Sequence, residues 1–333
     1  MLNLATDILG FLFCTGIIVV SGTKLSKYGD QLAILTGISR AWLGLVLLAS
    51  VTSLPELLTS ISAVAIVGAP DLAMGNILGS CAFNILILAW VYLFAPQRAL
   101  RLPVSAEHTL SASLGVLMLS VVGVGFLAPE AFGTLGWMGG YSVVLALLYF
   151  LSMYSIFQYG NTTAPASEAG PAAFKADTKL QPVVLQLLLH AGLVVLSALA
   201  LPYFSEHLAE ASGLGESFFG SFFLAITTSL PEIVVSLAAV RLGSIDMALG
   251  NLFGSNLFNL FVLSLSDMAF LSGPIIAHVS TSHLLTVMGG IILTALSIMS
   301  LLPHPGQVLR LSPGALSIVL IYGLLTLLLY HNR

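Results

Sequence analysis

Residues 48–64 read LASVTSLPELLTSISAV, and residues 224–240 read LAITTSLPEIVVSLAAV. At an offset of 176, Thr52 meets Thr228, Ser53 meets Ser229, Pro55 meets Pro231, Glu56 meets Glu232 and Ser60 meets Ser236. A second pair follows, GNILGSCAFNILIL over 75–88 and GNLFGSNLFNLFVL over 250–263, at an offset of 175. One residue is therefore gained or lost in the turn between the two motifs. Shared apolar composition does not reproduce polar residues in register, so the chain carries an internal duplication.

The duplicated segments lie in a chain that is 58% hydrophobic and 7% charged, with a mean hydropathy of +1.05. A soluble domain carries about 25% charged residues, so this chain reads as an integral membrane protein. A bilayer core takes about 20 apolar residues per helix. Hydropathy with charged and Gly/Pro punctuation predicts ten spans, near 5–22, 31–67, 71–95, 105–127, 135–159, 182–203, 213–241, 246–271, 275–301 and 311–331. The second and seventh are long and interrupted. The N-terminus lacks a basic n-region and a small-residue cleavage pattern, so the first span reads as retained. Cys14 and Cys81 are too few for a disulfide framework, and the histidines show no zinc-ligand spacing.

Ten spans place Lys24, Lys27, Arg98, Arg101, Lys175, Lys179, Arg241 and Arg310 on one side, B, against Arg333 on the other, A; Arg40 falls within the second span. By the positive-inside rule B is cytoplasmic and both termini are outside. Side A collects Asp7, Asp71, Glu130, Glu206, Glu210, Glu216 and Asp267. These are either solvated loop ends or a negative vestibule that concentrates cations. The polar stretch at 160–181 reads as a cytoplasmic linker between a first five-helix repeat at 1–159 and a second at 182–333. Five spans per half is an odd number, so the second half enters the membrane from the opposite face. The expected fold is an all-α polytopic membrane protein of ten transmembrane helices, arranged as two inverted five-helix repeats with broken helices at the centre. Inverted repeats characterise secondary transporters, with the substrate site at interrupted helices near the midplane.

Pro55 and Pro231 lack an N–H, which frees the carbonyls of Val51 and Thr227 as potential oxygen ligands for a hard cation. Glu56 and Glu232 are the only acids predicted deep in the membrane, where a charge costs about 2.5–3.5 kcal/mol even on the lenient insertion scale. Ser53, Glu56 and Ser60 share one helical face, as do Ser229, Glu232 and Ser236. Ser80 and Asn84 stand at i, i+4, as do Ser255 and Asn259, so each pair can project into one cavity or bond between helices. The GxxxG pairs Gly75/Gly79 and Gly250/Gly254 predict close helix approach. Asn76 and Asn251 are expected to satisfy main-chain groups. Two carboxylates ringed by hydroxyl, amide and carbonyl oxygens suit Ca²⁺ or Na⁺, not Zn²⁺ or Cu.

These segments resemble the two α-repeats of the cation/Ca²⁺ exchanger superfamily, in its prokaryotic sodium/calcium exchanger type. The resemblance rests on TSLPE at 52–56 and 228–232, with GNILGSCAFN and GNLFGSNLFN within the motifs at 48–88 and 224–263. It implies alternating Na⁺ and Ca²⁺ occupancy of one central site, ligated by Glu56, Glu232, Thr52 and Thr228. Flanking Na⁺ positions would be completed by the Ala49 and Ala225 carbonyls, Ser53, Ser229, Ser80 and Ser255, with Asn84 and Asn259 at the middle. The chain departs from some relatives with Asn259 in place of Asp, and from many with Val51 and Thr227 in place of Gly and Cys81 in place of Asn.

Charge counting then suggests a mechanism. Two ionised glutamates are costly to move through a closed site empty. One Ca²⁺ neutralises both, two Na⁺ do the same, and a third leaves one net positive charge. Two protons would also neutralise the pair, so H⁺/Ca²⁺ exchange is the rival within the transporter class. A channel usually builds its pore from subunits or rings, and an intramembrane enzyme would need a nucleophile and base beside the acids. No cofactor is expected beyond the transported Ca²⁺ and Na⁺. The expected partners are those ions and the lipid bilayer of a prokaryotic inner membrane; no nucleic acid is expected, and the chain is expected to act as a monomer.

Overall fold

The structure, a computed structural model, describes residues 4–94, 105–163, 179–211, 226–301 and 313–331. Its helices are α1 (Leu4–Thr36), α2 (Arg40–Val67), α3 (Pro70–Phe94), α4 (Glu107–Leu127), α5 (Gly140–Thr163), α6 (Leu180–Ala211), α7 (Leu230–Arg241), α8 (Ile245–Ala269), α9 (His283–Leu301) and α10 (Pro313–His331). Among the described residues, nine are long and apolar enough to cross a membrane. The remaining predicted span, 213–241, is described only from residue 226, and α7 is its second part. The linker at 160–181 falls largely outside the described residues.

The packing repeats with a period of five helices. α3 lies on α8, and α4 on α9. α2 packs on α8 as α7 does on α3, α4 on α8 as α9 does on α3, and α5 on α8 as α10 does on α3. α1 and α6 lie along each other and reach the rest through α2 and α7. This is the pattern that two interlocked copies of one unit produce. The centre is α3 and α8, which are buried on all sides and apolar nearly all round, as helices surrounded by other helices must be.

Several expected boundaries move. α1 runs to Thr36 through Lys24 and Lys27, where a loop at 23–30 was expected; it ends at Gly37, whose φ of 73° allows the left-handed cap and whose N–H bonds the Ala33 carbonyl. The long stems of Lys24 and Lys27 let a helix continue while the ammonium groups reach water. Residues 134–139 form a small antiparallel hairpin, β1 (Thr134–Leu135) and β2 (Met138–Gly139), so α5 starts at Gly140 and not at 135. Gly136, at φ 64°, supplies the turn.

The one-residue difference between the repeats also has a place. α2 closes with Ala69 N–H on the Ala63 carbonyl, and α7 closes with Ser244 N–H on Ala239, the counterpart of Ala63. The first loop spans one residue more. It is taken up inside the helix, in the π-helical turn Ala63–Val67, and not in the turn beyond. A π turn is wider and so holds an extra residue without breaking the helix. Gly68 and Gly243, both at positive φ, then end the two helices at matched positions.

Two cross-repeat pairs tie the halves at opposite ends. His108 Nε2 on α4 lies 2.9 Å from Asp246 Oδ1 on α8, and Ser105 N–H donates to that oxygen at 2.8 Å. His283 Nε2 on α9 lies 3.1 Å from Asp71 Oδ1 on α3, and Ser280 N–H donates there at 2.7 Å. Ser105, His108 and Asp71 become Ser280, His283 and Asp246 at the same offset of 175. Each aspartate also sits in the first turn of its helix, where the helix dipole favours a negative charge. The vestibule reading of the side-A acids is corrected in part. Asp267 is fully buried and accepts from Gly139 N–H, Ser142 Oγ, Tyr141 OH and Ile275 N–H, while Asp7 is also buried. Neither faces an aqueous approach.

Candidate functional site

The site is built where α2 and α7 kink. Ser53 (φ −93°, ψ 5°) interrupts α2 and Ser229 (φ −87°, ψ 8°) precedes α7, each two residues before its proline. The interruption is one residue long. Ser53 N–H still bonds the Ala49 carbonyl at 3.0 Å, and Leu57 N–H bonds the Ser53 carbonyl at 3.1 Å. α2 is therefore interrupted and restarted, not unwound, and in the second repeat Ile233 N–H bonds the Ser229 carbonyl at 3.3 Å as Leu57 does that of Ser53. The restart places Glu56 and Glu232 in a first helical turn, at the positive end of a helix dipole.

Every predicted position except Ala225, which lies outside the described residues, is fully buried: Ala49, Thr52, Ser53, Glu56, Ser80, Asn84, Thr228, Ser229, Glu232, Ser255 and Asn259 are all 0% exposed. The structure brings the two repeats together through exchanged bonds. Ser53 Oγ donates to Glu232 Oε1 at 3.1 Å, and Ser229 Oγ donates to Glu56 Oε1 at 3.4 Å. The sequence placed each serine on the face of its own glutamate; instead each serves the glutamate of the other repeat. Ser80 Oγ adds a bond to Glu56 Oε1 at 3.5 Å and stands 3.3 Å from Ser229 Oγ. Ser255 and Thr52, 3.4 Å apart, border Glu232.

An outer ring of asparagines holds these groups. Asn76 Nδ2 donates to Ser60 Oγ at 3.0 Å and to the Glu56 carbonyl at 3.4 Å; Asn251 Nδ2 donates to Ser236 Oγ at 3.0 Å. Their amide oxygens accept from the threonines of the opposite repeat, Thr228 on Asn76 and Thr52 on Asn251. Thr52 Oγ1 also reaches the Ala49 carbonyl at 3.3 Å. The single Thr52 proton cannot serve Asn251 and Ala49 at once, so with the Ser53 N–H bound and Thr52 turned to Asn251 the Ala49 carbonyl keeps one lone pair for the ligand role that resemblance implies. Gly250 and Gly254 permit the approach: a Cβ there would lie 2.4 Å from the Ala41 carbonyl and 2.2 Å from the Leu45 carbonyl of α2. Residues 217–221, the counterparts in sequence of 41–45, lie outside the described residues.

Four oxygens at this centre have no hydrogen-bond partner among the described residues: Glu56 Oε2, Glu232 Oε2, Asn84 Oδ1 and Asn259 Oδ1. A buried unsatisfied polar atom costs about 1–3 kcal/mol, and more when it is charged. Two of the four belong to carboxylates and two to amides, and oxygens of both kinds are ligands for a hard cation.

The sequence reading missed the His108–Asp246 and His283–Asp71 pairs. Their signal was present, since SxxH at 105–108 recurs at 280–283, but the matched residues are few and flank the apolar spans.

The sodium/calcium exchanger protein family matches this chain over residues 6–158 and 182–331. The chain is 26% identical over 343 residues to the sodium/calcium exchanger MaX1 of Methanosarcina acetivorans, covering 86% of this chain and 92% of that one. It is 28% identical over 250 residues to the inner membrane protein YrbG of Escherichia coli, covering 74% of each. Its fold matches that of the sodium-calcium exchanger NCX_Mj, in a structure soaked with Na⁺ and Sr²⁺, with a TM-score of 0.75 at 21% identity over 97% of this chain and 98% of that one.

Proposed function

This chain belongs to the sodium/calcium exchanger protein family, a family of transporters and not of enzymes, and from that premise we propose that it exchanges Na⁺ for Ca²⁺ by alternating access at the Glu56–Glu232 site. The observation that carries the reading is the set of four buried oxygens without a hydrogen-bond partner among the described residues, one carboxylate oxygen and one amide oxygen from each repeat.

One Ca²⁺ placed among Glu56 Oε2, Glu232 Oε2 and the amide oxygens of Asn84 and Asn259 neutralises both carboxylates. Two Na⁺ do the same, held by the glutamates with the hydroxyls of Thr52, Thr228, Ser53, Ser229, Ser80 and Ser255. A third Na⁺ leaves one net positive charge. The pair of bare carboxylates is the species least able to cross a dehydrated closed state. Reorientation is therefore confined to loaded forms, which couples the two fluxes. The exchanged serine bonds fit this role, because each glutamate is gripped by both repeats and its ligation changes when the repeats shift. The Lys/Arg asymmetry supports a cytoplasmic linker at 160–181 with both termini outside.

The test is uptake of radiolabelled Ca²⁺ into proteoliposomes driven by an outward Na⁺ gradient with pH clamped. Uptake that follows Na⁺ supports the reading. Uptake that ignores Na⁺ and follows an imposed pH gradient replaces Na⁺ with H⁺ as the counter-ion.

A further inference from the structure

The two repeats match closely around the site, but not at the α3–α8 crossing. There Cys81 of the first repeat faces Asn256 of the second, its counterpart at offset 175. Each donates to the other's main chain: Cys81 Sγ to the Asn256 carbonyl at 3.8 Å, and Asn256 Nδ2 to the Cys81 carbonyl at 3.1 Å. These bonds obey the repeat symmetry. What lies beyond them does not.

Asn256 has a second end. Its Oδ1 accepts from Asn84 Nδ2 at 3.0 Å. That bond occupies the amine of Asn84 and leaves Asn84 Oδ1 as the end turned away, buried and unpartnered. Asn259 is the counterpart of Asn84, and the symmetric bond would run from its Nδ2 to an amide oxygen at position 81. Cys81 has none, and its sulfur, although adjacent, is only a weak acceptor. Asn259 therefore has the weak Cys81 sulfur as its neighbour and no well-formed hydrogen bond at either end of its amide among the described residues, in a side chain 0% exposed.

We propose that Asn256 is a positioning residue that aims Asn84 Oδ1 at the ion, and that Cys81, by failing to do the same for Asn259, leaves one ligand of the Ca²⁺ site unoriented. The proposal rests on the exchange reading for the identity of the ion. It follows that Asn259 gives up rotational freedom each time Ca²⁺ binds, whereas Asn84 does not. The Asn259 amide can turn its oxygen to a cation or its NH₂ to a carboxylate. The site is thus softer on the Asn259 side than on the Asn84 side.

Calorimetric titration of the purified full-length protein with Ca²⁺ tests this. Fixing one side-chain rotamer beforehand changes affinity by about two- to tenfold. C81N is expected to tighten the Ca²⁺ Kd by that factor, N256C to weaken it by that factor, and the C81N/N256C exchange to return it near wild type, with each melting temperature recorded beside its Kd. A purely structural role at the helix crossing would move the melting temperatures and give no recovery in the exchanged protein. A C81N Kd equal to or weaker than wild type overturns the proposal, as does an exchanged protein no tighter than N256C. If either C81N protein does not fold, N256C alone decides, and an unchanged Kd overturns the proposal. Na⁺-driven uptake by wild type tests the exchange reading separately: Ca²⁺ binding with these shifts but no Na⁺-driven uptake overturns that reading alone. Absence of Ca²⁺ binding by wild type at millimolar Ca²⁺ overturns both.

Discussion

Ser53 of the first repeat hydrogen-bonds Glu232 of the second at 3.1 Å, although Glu56 lies only three residues further along its own helix. Ser229 returns the bond to Glu56 at 3.4 Å. Each glutamate takes one of its bonds from the opposite repeat, so the site is complete only in the assembled pair of repeats. Ser229 also lies 3.3 Å from Ser80, so its hydroxyl is shared between two acceptors, whereas the bond to Glu232 is the one side-chain bond of Ser53 among the described residues. A hydrogen bond to a charged group contributes about 1.5–3 kcal/mol. Ser53→Ala is expected to weaken Ca²⁺ binding by about tenfold or more, and Ser229→Ala by less. Titration of the two purified variants compares them directly.

Glu56→Gln and Glu232→Gln each remove one carboxylate and keep its shape. Removing one partner from a buried ionic set is expected to reduce Na⁺-driven Ca²⁺ uptake about 100-fold or more. The melting temperature should hold, since the amide needs no cation to be buried. Normal uptake by either variant would remove the pair from the transport site.

The two His–Asp pairs are alike in sequence position and unlike in burial. The His108 side chain is 0% exposed and that of Asp246 is 11%, against 15% and 58% for His283 and Asp71. His108→Ala leaves a buried carboxylate short of a partner and is expected to cost about 2–3 kcal/mol, whereas His283→Ala costs about 1 kcal/mol or less. Thermal unfolding in detergent ranks the two. Equal losses would mean that burial does not govern these pairs.

Asp267 accepts four donors with two oxygens, from the hairpin, the start of α5 and the segment before α9. Asn offers one oxygen and an NH₂ that confronts donors. Asp267→Asn is expected to strand about two of them, destabilising the fold by about 2–5 kcal/mol. The melting temperature should fall while the Ca²⁺ Kd of the surviving folded protein stays near wild type.

The topology is tested by reporters. Alkaline phosphatase fused after Arg333 should be active and a fluorescent protein there dark, with the opposite result for fusions within 164–178. A reversed pattern would invert the sidedness read from the Lys/Arg positions.

Much of this protein was legible because a duplication writes its evidence twice. One TSLPE segment is ambiguous; two in register, with Glu56 and Glu232 as intramembrane acids, define both the repeat and the residues to watch. The close approach at Gly250 and Gly254 was also readable, since two glycines a turn apart leave a groove wherever a neighbour fills it. Helix ends read less well. Lys24 and Lys27 punctuate hydropathy, but long aliphatic stems carry their charges out of an unbroken helix. The extra residue in the first repeat was detectable as a change of offset, yet only backbone hydrogen bonds locate it in the π turn Ala63–Val67.

The sequence by itself determined the membrane character, the inverted duplication and the two glutamates, because hydropathy, offset and an intramembrane carboxylate are properties of single positions or of their spacing. Only the tertiary structure decided who holds whom. Spacing along a helix assigned Ser53 to Glu56, and the crossing of the repeats gave it to Glu232. The same crossing set Cys81 against Asn256, so that Asn84 is aimed and Asn259 is not. Such pairings belong to the interface between two distant segments, and no distance along one chain segment encodes the angle at which it meets another.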